Sequence, residues 1–296
     1  MGTADPVTLH PPRVRLKISP RSLKPLLARA LPEWIKAPLR GRLFGYRASG
    51  VDLRFALDGS RARAGGLEFE LPPEMIDDAR YHFAENGSAV EEMHSLLREA
   101  RERGGVLVDV GAHHGLMSVM FCLAAPANRA VGFEPSPPLA DVAKRLAGLN
   151  RLGDRMRVHT DLVGEKPGVV RTWLDEHHFI RVDAPPEGQA AVDTPVRTLD
   201  EICATLVPTV VKIDVEGAEL EVLRGAAETL RKHRPVILLE IHLNEMEARG
   251  DDPREIGRIL APLGYRWETS LGQRFPEWRV FGSASAVLRV VARPRG

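Results

Sequence analysis

The chain has 296 residues, of which 44% are hydrophobic and 27% charged, and its formal net charge is +1. These values are ordinary for a globular protein, and so small a net charge gives no indication of nucleic acid as a partner. The sequence has neither an apolar run of the roughly 18 residues that a membrane span needs nor the basic-then-apolar order of a secretory signal, so we expect a cytoplasmic protein.

Residues 1–48 are interpreted as a basic N-terminal arm. Between Arg13 and Arg47 there are ten lysines or arginines and a single acidic residue, Glu33, with leucines and Trp34 interspersed. The arm is either a solvated, partly disordered segment or a docking element for an acidic surface. In the second case residues 13–47 would approach an acidic carrier protein or a membrane surface, and the sequence does not decide between these partners.

Residues 49–104 form a second zone of mixed character. Two strand-like stretches, Val51–Leu57 and Leu67–Leu71, are followed by a helical stretch at Ala89–Arg103. We predict that this segment is an N-terminal cap on the substrate side of the domain that follows.

From residue 105 to 296, β-branched runs alternate with amphipathic stretches. The predicted strands are Val106–Val110, Ala130–Phe133, Met156–Val163, Val210–Val215 and Val236–Ile241. The predicted helices between them are Leu116–Leu123, Pro138–Asn150, Ala218–Lys232 and Pro253–Leu263. Continuous apolar strands separated by helices predict an α/β fold with a doubly wound, mostly parallel sheet that is covered on both faces.

Two later features modify this pattern. The stretches Tyr265–Thr269 and Ala286–Ala292 are strand-like and joined by a polar segment, which is typical of an antiparallel sheet edge. The segment Val169–Asp183 interrupts the alternation, and we predict an extra hairpin or loop there, near the ends of the strands.

The strand Val106–Val110 runs into a turn with glycines at positions 111 and 115, and then into a helix. Gly111 permits a tight turn and a close approach of the backbone, and Gly115 lets the start of the helix press against the strand. The dinucleotide fingerprint GxGxxG would need glycine at positions that hold His113 and Leu116. The spacing therefore argues against NAD and suits a cofactor without a pyrophosphate.

Glu134 lies at the end of the next strand, 19 residues after Gly115. In doubly wound folds an acidic residue at this place accepts hydrogen bonds from ribose hydroxyls. Glu134 is therefore the candidate for binding the ribose of a nucleoside cofactor.

Two further pairs of polar residues end later strands: Asp214 with Glu216, and Glu240 with His242. The members of each pair are two residues apart, so they share one side of the strand. The sequence shows no obvious cationic partner for the two carboxylates of the first pair. Glu216 could instead cap the next helix, and His242 could cap a loop or act as a general base.

The segments DVGAHHG, GFEPSP, KIDVEGAELEVLRGA and PVILLEIH resemble the FkbM family of S-adenosylmethionine-dependent methyltransferases. The resemblance covers roughly Val106 to Tyr265. It implies a class I, Rossmann-like methyltransferase domain over residues 105–296 and O-methylation of a hydroxyl on a sugar or secondary metabolite, a small-molecule acceptor.

The resemblance also implies roles for individual residues. The methionine end of the cofactor would lie along the glycine turn, the ribose at Glu134, the adenine near Leu162 and the transferable methyl near Asp214. The full set expected to bind S-adenosyl-L-methionine is Asp109, Gly111, His113, Gly115, Ser118, Glu134, Leu162 and Asp214. His113 departs from the asparagine that is usual in the family.

Transfer of a methyl group to a hydroxyl requires alignment of the reacting atoms and a group that takes the hydroxyl proton. The catalytic candidates are Asp214, Glu216 and His242, with Glu240 orienting the histidine. We hypothesise that His242 or Asp214 takes the proton. The same side chains could hold a divalent metal, but the metal-free form is favoured because the sequence shows no compact ligand spacing.

Two other classes of function stay open at this stage. One is a non-catalytic protein that keeps the cofactor site and acts through its basic arm. The other is an oxidoreductase with a nucleotide cofactor, which the missing glycines at positions 113 and 116 disfavour.

Overall fold

The computed structural model describes residues 55–80, 90–175, 180–182, 184–269 and 287–295. The basic arm at residues 1–48 lies outside these ranges, so the predictions made for it stay predictions. None of the helices in the described ranges is long and apolar enough to cross a membrane.

The described part of the second zone begins with a small antiparallel sheet of β1 (Ala56–Asp58), β2 (Arg61–Ala64) and β3 (Leu67–Glu70). The short helix α1 (Ile76–Ala79) and the longer α2 (Val90–Glu102) follow. The predicted strand at Leu67–Leu71 and the predicted helix at Ala89–Arg103 are thus confirmed to within a residue at either end. Apolar side chains of β2, β3 and α2 are buried in one core with strands of the large sheet described next.

The remaining strands are, in chain order, β4 (Val106–Val110), β5 (Arg129–Phe133), β6 (Met156–His159), β7 (Leu162–Val163), β8 (Gly168–Leu174), β9 (Ile180–Arg181), β10 (Val192–Arg197), β11 (Val210–Ile213), β12 (Val236–His242), β13 (Tyr265–Thr269) and β14 (Val287–Pro294). The remaining helices are α3 (Leu116–Ala124), α4 (Pro137–Leu149), α5 (Leu199–Ile202), α6 (Glu219–Arg224), α7 (Ala227–Lys232), α8 (Leu243–Ala248) and α9 (Arg254–Leu260).

Seven of these strands form one large sheet in the order β13-β14-β12-β11-β4-β5-β6. The strands from β12 to β6 pair in parallel, whereas β14 is antiparallel to both β12 and β13. Two separate buried clusters of apolar side chains lie against the sheet, because alternate strand residues enter different clusters: Leu107 lies in one, Val108 in the other. The predicted doubly wound α/β fold with an antiparallel edge is confirmed.

Two predicted elements are divided in the structure. The predicted strand Met156–Val163 splits into β6 of the large sheet and β7, which pairs with β10 instead. The predicted helix Ala218–Lys232 splits into α6 and α7 at Gly225. A Cβ on Gly225 would lie 2.1 Å from the carbonyl oxygen of Gly164, so the chain after β7 contacts the helix break at a distance that only glycine permits.

The strands β7, β10, β8 and β9 form a second, four-stranded sheet. In it β8 is antiparallel to β10 and to β9, which confirms the hairpin predicted for Val169–Asp183. The buried hydroxyls of Thr172 and Thr194, on β8 and β10, lie 2.6 Å apart and hydrogen-bond across the strand pair.

Helix α2 is attached to the edge of the large sheet by a buried ion network. The Arg293 guanidinium on β14 donates to both oxygens of Glu99 on α2 and, at 2.7 Å, to Glu268 on β13. Glu99 is fully buried and also pairs with Arg98 and Arg103, and Arg293 is the partner that joins it to the sheet. This attachment holds α2, and with it Glu92, beside the middle of the sheet.

Candidate active site

The predicted site residues converge where four adjacent parallel strands end. Strand β4 lies between β5 and β11, and the chain continues from β4 in one direction to β5 and β6, and in the other to β11 and β12. Such a switch point leaves a crevice outside the carboxyl ends of the strands, where ligands bind in doubly wound folds. The residues at these four ends are Gly111, Glu134, Asp214 and His242.

The two glycines of the turn after β4 are required by contacts within the protein. Gly111 has a φ of 79°, and a Cβ there would lie 1.7 Å from the carbonyl oxygen of Asp214. A Cβ on Gly115 would lie 2.8 Å from Ala143 Cβ and from Met156 Cε. Gly111 therefore lets the loops that follow β4 and β11 come into contact. Gly115 lets α3 approach α4 and β6.

Glu134 is bound to the same turn by hydrogen bonds from the backbone. Its carboxylate accepts from the amide of His113 at 2.8 Å and from the amide of Ser136 at 3.0 Å. Burial raises the pKa of Glu134, partly offset by these two hydrogen bonds, and burial also lowers the pKa of His113 to about 4. Glu134 thus shapes the turn, and the His113 ring is neutral at physiological pH.

Two buried side-chain oxygens near this turn have no hydrogen-bond partner among the described residues. Asp109 is fully buried, and its Oδ2 accepts from Ser118 Oγ at 2.6 Å while Oδ1 makes no hydrogen bond. Ser136 Oγ is equally buried and unpaired. Since buried polar groups are nearly always paired, both atoms fit contacts to a bound ligand.

Sequence reasoning missed Ser136, although the residue stands two positions after Glu134 in the segment GFEPSP. Leu162 is the predicted cofactor residue that the structure places on a different sheet. It lies half-buried in β7 and pairs with Val196 of β10.

The carboxyl groups around His242 form what we call the acidic cluster, defined as Glu92, Asp214, Glu216, Glu219 and Glu240. The His242 Nε2 atom lies 3.5 Å from Glu216, 3.7 Å from Asp214 and 3.8 Å from Glu240. On the other side of the ring, Nδ1 lies 2.8 Å from the fully buried carboxylate of Glu219. The four predicted catalytic residues are therefore neighbours in space.

The expectation that these carboxylates lack a cationic partner is wrong. Lys212, only 4% exposed, donates to Asp214 Oδ2 at 2.9 Å and lies 3.4 Å from Glu92. Arg289 of β14, which pairs in register with Glu240, donates to that carboxylate. The pairing of Lys212 with Asp214 could have been predicted from the sequence, because residues 212 and 214 share one face of a strand.

The charges in this cluster shift the pKa values of its members. Against the opposing effect of burial, Lys212 lowers the pKa of Asp214. Burial and the nearby Asp214 charge raise the pKa of Glu240 to about 7. Burial opposes protonation of His242, but the bond to Glu219 and the charges of Glu216 and Asp214 prevail and raise its pKa to about 9. His242 therefore carries a proton at neutral pH and must lose it before it can act as a base.

Residues 109–267 match the family model described as the methyltransferase FkbM domain. The matched segment begins within β4, contains β5, β11 and β12, and exceeds half of the 296 residues. The chain belongs to the FkbM methyltransferase family.

This member of the FkbM methyltransferase family is similar to the hexuronic acid methyltransferase AglP of Haloferax volcanii. The two are 29% identical over 175 residues, which cover 56% of this chain and 65% of that relative. The chain thus spans just under two thirds of the relative's length.

Solved structures of methyltransferases are also similar to this chain. The methyltransferase FkbM from Methylobacillus flagellatus KT is 21% identical with a TM-score of 0.43, over 64% of this chain and 43% of that one. A precorrin-6y C5,15-methyltransferase from Geobacter metallireducens GS-15 is 14% identical with a TM-score of 0.40, over 77% and 94%.

Proposed function

We propose that this FkbM family member is an S-adenosylmethionine-dependent methyltransferase that acts on a hydroxyl group of a sugar or secondary metabolite. The observation that carries the proposal is the position of the acidic cluster beside the glycine turn and Glu134, at the ends of adjacent parallel strands. A site that binds a nucleoside cofactor on one side and has polar reactive groups on the other is suited to group transfer.

Residues beside the glycine turn fit the parts of this cofactor. The unpaired Asp109 Oδ1 can accept from an ammonium group, and the Glu134 carboxylate and Ser136 Oγ can bond ribose hydroxyls. The cofactor supplies an electrophilic methyl group on a sulfonium. The chain's part is to hold that group in line with the acceptor and to exclude other geometries.

In place of His242 or Asp214, we infer that Glu216 is the member of the acidic cluster that takes the hydroxyl proton. Its side chain is 60% exposed, whereas those of Glu240 and His242 are at most 8% exposed. Glu216 also has a φ of 51°, a left-handed conformation that costs a non-glycine residue about 1–3 kcal/mol. The chain thus holds this carboxylate in a strained turn at the exposed side of the cluster.

The charge of the cluster favours a hydroxyl over a carboxylate as the reacting group of the acceptor. A carboxylate placed beside Asp214, Glu216 and Glu240 would meet like charges within a few ångströms, which costs several kcal/mol. The named activity of the Haloferax relative makes a hexuronic acid a suitable acceptor to test first. In such an acceptor we expect methylation at a ring hydroxyl with the acid group pointing away from the cluster.

The test is calorimetric titration of the protein with S-adenosylhomocysteine and, separately, with NAD. We expect micromolar binding of the first ligand alone, weakened about tenfold or more in Glu134→Ala because a hydrogen bond to a charged acceptor contributes about 1.5–3 kcal/mol. Glu228→Ala, which changes an exposed glutamate on α7, serves as the control and should bind like the wild type. Binding of NAD, or of neither ligand, would refute the proposal.

A further inference from the structure

We propose that the acidic cluster holds a divalent cation with Asp214, Glu240 and His242 Nε2 as its protein ligands. One potential ligand atom from each of these residues lies within 4.8 Å of the others. The role suggested for the cation below rests on the proposed function, but binding of the cation does not depend on that function.

Three carboxylate oxygens surround His242 Nε2, and two of them belong to the proposed ligands Asp214 and Glu240. These oxygens, at 3.5, 3.7 and 3.8 Å from Nε2, are too far for hydrogen bonds. Donors that each lie about 2.1 Å from a common ion are about 3.0 Å apart at right angles and about 3.4 Å apart in a tetrahedron. The separations of Nε2 from Asp214 and Glu240 exceed the tetrahedral value by 0.3–0.4 Å, and all three ligand atoms lie within 4.8 Å of one another, so binding of an ion would draw them inward.

The far side of the histidine supplies an independent argument. Glu219 Oε1 lies 2.8 Å from Nδ1, and a carboxylate can only accept, so Nδ1 carries a hydrogen. In the neutral ring, the lone pair is then on Nε2 and points toward the cluster. The side chain is 5% exposed, and a buried carboxylate that orients a histidine in this way is the usual second partner of a metal-binding imidazole.

The balance of charge also calls for a further cation. The five carboxyl groups of the acidic cluster are accompanied by two permanent cations, Lys212 and Arg289, and by His242, so they outnumber the cations even when the histidine is protonated. Lys212 engages Asp214 through Oδ2, whereas Oδ1 is the atom near His242. One ligand oxygen therefore stays directed at the proposed site.

A mixed imidazole and carboxylate set favours Mn²⁺, Zn²⁺ or a similar ion of the first transition series. An ion at this place would lower the pKa of an acceptor hydroxyl that reaches it. His242 would then act as a ligand, and Glu216, which lies 3.5 Å from Nε2 but is mostly exposed, would take the proton.

The experiment is titration of chelator-treated protein with Mn²⁺, with free ion followed by electron paramagnetic resonance. We expect one bound Mn²⁺ per chain in the absence of any cofactor. Glu240→Gln and His242→Ala should weaken binding at least 100-fold. Glu219→Gln, which keeps all three ligands but changes the orienting group, should weaken it 10- to 100-fold.

A second group, formed by Asp78, His113 and His114, provides the matched control, because its ligand atoms also lie within 4.8 Å of one another. Asp78→Asn should leave Mn²⁺ affinity unchanged within about twofold. No binding by the folded wild type, or loss of binding in Asp78→Asn but not in Glu240→Gln, would refute the proposed site.

Folding of each variant is checked by its thermal transition and by binding of S-adenosylhomocysteine in EDTA. That second measurement also separates the two proposals. A protein that binds the cofactor analogue but no Mn²⁺ contradicts only the cation site, and one that binds Mn²⁺ but not the analogue contradicts only the proposed function.

Discussion

The two halves of the candidate active site, the glycine turn and the acidic cluster, satisfy their carboxylates in different ways. In the glycine turn, Asp109 and Glu134 accept hydrogen bonds from a serine hydroxyl and from backbone amides, all from residues at most 21 positions away. In the acidic cluster, side chains from α2, the β11 loop, α6, β12 and β14 converge around one lysine, one arginine and one histidine. The first half is held by local hydrogen bonds, and the second by charge balance across the fold.

This comparison predicts where function is most sensitive. We expect Glu216→Gln to lower kcat about 10²- to 10⁴-fold, because it removes the exposed proton acceptor without changing the shape of the side chain. S-adenosylhomocysteine affinity should stay within about twofold of wild type, since Glu216 lies outside the glycine turn. Steady-state kinetics and calorimetry measure the two quantities, and an unchanged kcat would show that Glu216 is not the base.

The acidic cluster should also be the half whose charges matter most for stability. We expect Lys212→Met to lower the free energy of unfolding by about 3–5 kcal/mol, because it leaves Asp214 and Glu92 without their buried cation. The matched control is Lys144→Met, which breaks an exposed pair with Asp141 and should cost about 0.5 kcal/mol or less. Urea denaturation measures the free energy of unfolding of both variants. Equal losses of stability at the two lysines would contradict the comparison.

The glycine turn should respond to acid through His113. Its folded pKa of about 4 lies below the ordinary value of 6.5, so the unfolded chain binds the proton more readily. The stability that this residue contributes is therefore complete above pH 6.5 and is lost as the pH falls toward 4. The loss is at most about 3 kcal/mol.

The matched variant is His113→Asn, because asparagine tolerates the left-handed conformation of residue 113, whose φ is 51°. We expect the difference in unfolding free energy between variant and wild type to change by up to about 3 kcal/mol between pH 7 and pH 4. The difference cancels the contributions of Asp109 and Glu134, whose raised pKa values act in the opposite direction. A difference independent of pH would contradict the prediction.

The smallest expected effect concerns the unpaired hydroxyl of Ser136. We expect Ser136→Ala to weaken S-adenosylhomocysteine binding about 2- to 10-fold, the value of one neutral hydrogen bond of about 0.5–1.5 kcal/mol. Stability should not fall, because the buried Oγ has no partner among the described residues to lose. Lower stability with unchanged affinity would show that the hydroxyl serves the fold instead.

Much of the fold could be predicted from local patterns. The strands β4 and β13 begin and end at the predicted residues, and β5 differs by one residue, because these strands are short runs rich in β-branched and aromatic residues. The division of Met156–Val163 could not be predicted, because the choice between two sheets depends on which partner strand is near. The same holds for the break at Gly225, which depends on contact with Gly164.

The sequence by itself determined the glycine turn, Glu134 and the four polar residues at the strand ends, because a strand that ends in a motif places its next residues at a known edge of the sheet. Only the tertiary structure decided that His242 has Glu219 behind it and three carboxylates in front. Residues 92, 212, 242 and 289 are distant along the chain, and no spacing in the sequence reports their separation in space. Electrostatic interactions fall with distance in space, so the chemistry of this cluster was settled by how the strands pair.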